Sequence, residues 1–158
     1  MTIEEKAIEI VDAFSIYDDW MDKYNYLIEM GKGRKPIYEE FKTEQNMIRG
    51  CQSQVWLNAD YRDGKVYFTA DSDAIITKGI VNLLITVLDG QSPDNIINYD
   101  MSFLDKIGLK EHLSPNRANG INSMIKQMKL YALAFKTKSN LPEENEKFQL
   151  QQNEQFLE

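Results

Sequence analysis

Gln54-Val55-Trp56-Leu57-Asn58-Ala59-Asp60-Tyr61-Arg62-Asp63-Gly64-Lys65-Val66-Tyr67-Phe68-Thr69-Ala70 lies in the middle of a 158-residue chain and decides its fold. Val55, Leu57, Ala59 and Tyr61 fall on one face of an extended chain and Trp56 on the other. A period of two marks a half-buried strand. Asp63-Gly64 is a two-residue hairpin signal, because both central positions of a type I′ turn take positive φ. Residues 66–70 then form the return strand. Residues 46–49 read as a further short strand. About three antiparallel strands are therefore expected, all confined to mid-chain.

Working outward, the rest is helical. Thr2-Ile3-Glu4-Glu5 has the form of a capping box. Ile3, Ala7, Ile10, Val11 and Phe14 then recur at helical spacing. A second helix starts near Asp18 or Asp19, carries Trp20, Tyr24, Leu27 and Ile28, and is expected to end at Gly31 as a C′ glycine. Residues 31–45 are irregular and basic at their start. Their G-x-G is not a phosphate loop, since no strand leads in and the G-K-[ST] ending is missing. After the hairpin, Asp71-Ser72-Asp73 offers N-caps for a helix over residues 74–88, closed by Gly90. Ser92-Pro93 and Ser114-Pro115 both place a cap before a proline. The first predicts a short helix to Asn98, and another is expected over residues 102–107. The second Ser-Pro opens a helix striped by Ile121, Met124, Ile125, Met128, Tyr131, Ala132 and Phe135, reaching about Lys138. The expected fold class is α+β: a small antiparallel sheet packed with flanking helices in one domain, residues 1–138. Residues 139–158 are rich in Glu, Gln and Asn and are expected to form a disordered polar tail.

Composition removes several functions. Asp plus Glu is 25 against 18 for Lys plus Arg, a net charge of -7. That balance argues against nucleic acid and against an anionic membrane surface as partners, both of which recruit cations. The apolar run over residues 80–88 is far shorter than the roughly 18 residues of a span. The acidic, amphipathic start does not resemble a signal peptide. One cysteine excludes an internal disulfide and points to a reducing cytoplasm. One thiol and one histidine cannot build a zinc ribbon or a cysteine-ligated iron–sulfur cluster.

The segment with chemical content is Arg49-Gly50-Cys51-Gln52-Ser53-Gln54. Gly50 allows a backbone turn that other residues resist. Gln52 and Ser53 are polar, unlike the usual flanks of a core thiol. A cation such as Arg49 favours the reactive thiolate. Against this stands the ordinary case, in which a free cysteine is simply packed. Asp71 and Asp73 are explained as helix caps, His112 as a lone surface or capping histidine, and the methionines as core. Arg117, in the first turn of the last helix, opposes the helix dipole there and so implies a specific contact.

Gly50-Cys51-Gln52-Ser53-Gln54-Val55-Trp56 resembles the signature of the SufE family of cysteine-desulfurase sulfur acceptors. Asp71-Ser72-Asp73-Ala74 with Lys78-Gly79 is similar to the family's next block. Leu113-Ser114-Pro115-Asn116-Arg117 with Asn119-Gly120 is similar to its third. The resemblance covers about residues 3–138. It implies the α+β fold shared with iron–sulfur scaffold proteins. It also implies a persulfide carrier: Cys51 accepts sulfur from a SufS-like cysteine desulfurase and passes it to a cluster scaffold, stimulating the desulfurase. On this reading Cys51 is the acceptor. Gly50, Gln52 and Ser53 shape its loop, and Arg49, Asp73 and Arg117 support it. The chain is then a protein co-substrate, not an enzyme. It carries no cofactor and no metal of its own, and pyridoxal phosphate resides on the partner. The rivals are an adaptor that regulates a desulfurase with an inert Cys51, a cluster scaffold, and a thiol enzyme pairing Cys51 with His112. The sequence leaves monomer and homodimer open.

Overall fold

The computed structural model describes residues 1–139. Six helices and two strands follow in the order α1 (Ile3–Ser15), α2 (Trp20–Lys32), β1 (Val55–Arg62), β2 (Lys65–Ser72), α3 (Ile75–Leu88), α4 (Pro93–Asn98), α5 (Phe103–Ile107) and α6 (Pro115–Ser139). The fold is α+β, with a two-stranded antiparallel sheet. The tail assigned to residues 139–158 lies outside the described residues, apart from Ser139 at the end of α6.

The local signals act as expected. The Thr2 hydroxyl accepts the Glu5 amide at 3.1 Å while the Glu5 carboxylate accepts the Thr2 amide at 3.2 Å, closing the capping box on α1. Ile3, Ala7, Ile10 and Phe14 are the buried stripe of that helix. The hairpin pairs Arg62 with Lys65 around Asp63 and Gly64, both at positive φ. Its inner face pairs Leu57 with Ala70, Ala59 with Phe68 and Tyr61 with Val66. Val55 and Leu57 are fully buried, while Ala59 and Tyr61 pack against the core. α6 lies along this face. Phe135 stacks on Tyr61 with centroids 5.3 Å apart, and the Tyr131 hydroxyl donates to the Leu57 carbonyl at 3.0 Å. Outside the sheet, the Lys42 ammonium sits over the Trp56 ring.

Three expectations change. Residues 46–49 do not form a third strand: a single 3₁₀ turn (Glu44–Asn46) leads to one isolated bridge between Met47 and Trp56. Ile48 donates to the Val55 carbonyl at 2.8 Å and buries its side chain. Gly50, at φ 95°, then turns the chain away before a ladder can extend.

Gly31 does not end α2, which runs on to Lys32 with Gly33 at the C-cap. Gly31 instead faces α3, where a Cβ would lie 3.1 Å from the Gly79 nitrogen. Gly79 in turn abuts the Leu27 carbonyl so closely that no Cβ fits. The two helices therefore cross backbone to backbone.

Asp71-Ser72-Asp73 supplies no capping side chain to the first turn of α3. β2 continues through Ser72, and Ala74 is the N-cap; its amide donates to the Ser72 hydroxyl at 3.2 Å, but no side chain caps the amides of the first turn. The two aspartates serve long-range contacts, described below, which compete successfully with the local cap.

Candidate functional site

Cys51 sits where the chain passes between the first turns of α6 and the start of α3. Gly50 rests against Ser123 of α6, so tightly that a Cβ there would overlap the Ser123 hydroxyl. The Cys51 thiol points at α6 as well. Its S–H donates to the Gly120 carbonyl across 3.7 Å. From the other side, the Thr77 hydroxyl of α3 donates to the Ser53 hydroxyl at 3.4 Å. These contacts surround a small cavity of about 60 Å³ lined by Cys51, Gln52, Ser53, Thr77 and Ile80, and by Asn116, Arg117, Gly120 and Met124 from α6. Ile80 and Met124 are buried and form its apolar floor, while Gln52, Asn116 and Arg117 are exposed at its rim. A cavity needs roughly 10–15 Å³ per water-sized occupant, so this one has room beside the thiol for a further atom of sulfur's size.

The downstream end of the loop is tied to the hairpin. The Gln54 amide donates to Asp73 Oδ1 at 3.0 Å, the Asp73 amide donates to the Gln54 carbonyl at 3.3 Å, and the Ser72 hydroxyl donates to the same carbonyl at 2.8 Å. Asp73 thus pins the loop end without lining the cavity. Asp71 faces a different set of partners. Burial works against its charge, but hydrogen bonds from Lys42, the Ser72 amide and Lys78 outweigh it and hold the carboxyl below its ordinary range. Its ion pairs are 2.7 Å to Lys42 and 3.3 Å to Lys78. They fasten the segment before β1 and the start of α3 to the end of the sheet.

Burial pushes the Cys51 thiol up from its ordinary range. Half-buried as it is, the thiol in this resting geometry is the protonated, less nucleophilic form near neutral pH. Arg117 reaches the rim of the cavity from the third position of α6, where its amide donates to the Ser114 hydroxyl at 3.3 Å. Arg49 is exposed and does not line the cavity.

Of the residues singled out in the sequence, Cys51, Gln52, Ser53 and Arg117 come together around the cavity, and Gly50 and Asp73 hold the two ends of the loop. His112 lies elsewhere. Its ring stacks on Trp20 at 3.9 Å, and its Nδ1 is 3.1 Å from the Gly108 carbonyl. The geometry therefore gives no support to a Cys51–His112 pair. Thr77, Ile80, Asn116, Gly120 and Met124 were not foreseen as site residues. Asn116 and Gly120 stood in the third of the family-like blocks, and Gly120 carried a second signal: a glycine inside a helix is costly, and its presence marks a close approach. Among the described residues, no group of three His, Cys, Asp or Glu side chains could hold a metal ion, and no helix is long and apolar enough to cross a membrane.

Known proteins resemble this one in sequence and in shape. The family model described as SufE, Fe-S metabolism associated domain, matches residues 8–132. An uncharacterized SufE-like protein of Synechocystis is 40% identical over 134 residues, spanning 85% of this chain and 84% of that protein. An uncharacterized SufE-like protein of Rhizobium meliloti is 40% identical over 126 residues, spanning 77% and 90%. The chloroplastic/mitochondrial SufE-like protein 1 of Arabidopsis thaliana is 37% identical and much longer, so that only 36% of it is covered. In shape, the solution structure of a hypothetical protein from Thermus thermophilus matches with a TM-score of 0.67 at 22% identity, over 80% of this chain and 93% of that one.

Proposed function

Because the chain belongs to the SufE family, whose domain is associated with iron–sulfur metabolism, we propose that it is a persulfide carrier acting through Cys51. The partner that supplies sulfur is a cysteine desulfurase, and the recipient is a cluster scaffold. The observation that carries the proposal is the position of the chain's one thiol. Cys51 stands on a short glycine-led loop, in a surface cavity with an apolar floor and an arginine at its rim.

The chemistry needs only that inventory. The Cys51 thiolate attacks the outer sulfur of the desulfurase's cysteine persulfide. A new S–S bond forms at Cys51, the old S–S bond breaks, and its electron pair leaves with the desulfurase thiolate. The exchange is redox-neutral. No metal, histidine or cofactor is required on the acceptor, since pyridoxal phosphate and the cysteine substrate belong to the desulfurase. Arg117 at the rim offers a cation beside the attacking thiolate and the incoming anionic sulfur.

The resting geometry withholds this reactivity. A thiol held half-buried and protonated resists alkylation, and an outer sulfur enclosed in the same cavity is shielded from attack by thiol reductants. Delivery to a partner's active site then requires the loop to swing outward. The partner's binding energy offsets the cost of the exposed state. Gly50 is the hinge, because its backbone already occupies the left-handed region at φ 95°. A reducing cytoplasm is the compartment in which such a thiol would be kept free.

Turnover of a cysteine desulfurase on free cysteine tests the reading against its rival. Wild-type protein is expected to stimulate sulfur release, and Cys51→Ser to bind the desulfurase without stimulating it. Equal stimulation by Cys51→Ser would replace the carrier with an adaptor whose cysteine is inert.

A further inference from the structure

Helix interiors disfavour glycine, yet α6 carries buried Gly120 in its second turn. A Cβ on Gly120 would lie 3.3 Å from Cys51 Sγ and 3.9 Å from both Cys51 Cα and Cβ. The first distance is tighter than ordinary carbon–sulfur packing, and the other two are ordinary contact. The tight contact is therefore with the thiol, and one of the two sides must give by a few tenths of an ångström. The Gly120 carbonyl is also the acceptor of the thiol S–H.

We propose that Gly120 is the positioning residue for Cys51: the missing side chain leaves a seat on α6 that holds the thiol inside the cavity, and filling that seat turns the loop outward. This rests on the reading of Cys51 as the sulfur acceptor but concerns only where the thiol lies at rest.

Which side yields when the seat is filled follows from how each is held. α6 is anchored along its length. Ile121, Met124 and Met128 are buried, Tyr131 is hydrogen-bonded to the sheet, and Phe135 is stacked on Tyr61. The loop is pinned at its ends by Gly50 against Ser123 and by Gln54 on Asp73 and Ser72, but between them Cys51 and Ser53 are tied by the 3.4 Å Thr77–Ser53 contact and the long S–H bond, with Gln52 exposed. Exposed, weakly bonded segments open at low cost, so the loop moves and the helix stays. The seat thus sets how much of the time the acceptor sulfur is hidden.

The experiment compares wild type and Gly120→Ala by the rate of Cys51 alkylation with iodoacetamide across pH, alongside circular dichroism. Gly120→Ala is expected to alkylate on the order of tenfold faster near neutral pH, with its rate profile moved toward lower pH, because a released thiol regains its ordinary ionisation. An unchanged rate and profile in a folded Gly120→Ala would overturn the proposal. A thermal-unfolding cycle with Cys51→Ala gives a second reading. In the Cys51→Ala background, Gly120→Ala is expected to raise the Tm, since alanine favours the helix and meets no thiol. In the wild-type background the gain should be smaller or reversed. If Gly120→Ala alone does not fold, folding of the double variant supports the seat. Failure of the double variant to fold would overturn it, by placing the collision somewhere other than the thiol. No desulfurase enters these measurements, so their outcome is separate from that of the sulfur-transfer assay.

Discussion

Two seams of this protein depend on the same omission of a Cβ, and they behave differently. At the α2–α3 crossing, Gly31 and Gly79 let two helix backbones touch, with Leu27 fully buried against Gly79. At the Cys51 seam, Gly120 and Gly50 let a loop touch α6, at a mouth rimmed by exposed Gln52, Asn116 and Arg117. The first seam sets buried Gly31, Leu27 and Gly79 backbone against backbone between two helices, so it holds. The second is closed on one side by hydrogen bonds and a thiol, so it can open. A glycine contact becomes part of a rigid frame or part of a movable site according to what encloses it.

Gly79→Ala should have the largest effect, because the new Cβ meets the Leu27 backbone carbonyl, which cannot turn aside. Overpacking of this kind costs about 3 kcal/mol. Chemical denaturation measures it, and a variant as stable as wild type would break the comparison by showing the helix pair to be as yielding as the loop. Tyr131→Phe tests the anchoring of α6. It leaves the buried Leu57 carbonyl without its donor and should cost about 1–3 kcal/mol. If the account of which side moves is right, alkylation of Cys51 in this variant changes less than in Gly120→Ala.

Asp73→Ala loosens only the loop. The Gln54 amide loses its acceptor, but it lies where water can replace it, so the loss of stability should stay below about 1 kcal/mol. Amide exchange over residues 52–54 should nevertheless rise, while exchange in α3 stays as it was. A uniform rise through α3 would mean that the loop and the helix form one unit. The smallest effect is a pH linkage. The folded state raises the Cys51 thiol above its ordinary range, because burial disfavours the thiolate. The unfolded chain therefore releases this proton first as pH rises. The contribution is fully present below the ordinary thiol range and is lost on passing upward through the folded value. Wild type should lose slightly more stability than Cys51→Ala between neutral and alkaline pH. Parallel pH profiles would place the thiol in water rather than in its cavity.

Much of the frame was legible in the sequence. The capping box, the alternating strand with its Asp63-Gly64 turn and the two Ser-Pro helix starts are local devices, with partners only a few residues away. What escaped is what depends on distant partners. Gly31 has the form of a helix stop, and only the arrival of Gly79, 48 positions later, makes it a crossing point. Asp71 and Asp73 have the form of caps, but Lys42, Lys78 and the Gln54 amide compete for them. Residues 46–49 carry a strand pattern that Gly50 interrupts. The site divided in the same way. Cys51, Gln52, Ser53 and Arg117 stood in recognisable blocks. Thr77, Ile80 and Met124 looked like any helix core until the fold placed them under the thiol.

The central claim is that Cys51 itself takes the sulfur, and intact-mass spectrometry with peptide mapping after incubation with a cysteine desulfurase and free cysteine measures it most directly. The account predicts one added sulfur on the peptide containing Cys51, removed by a thiol reductant and absent from Cys51→Ser. Equal sulfur on wild type and Cys51→Ser, or sulfur mapped to any other peptide, would contradict it.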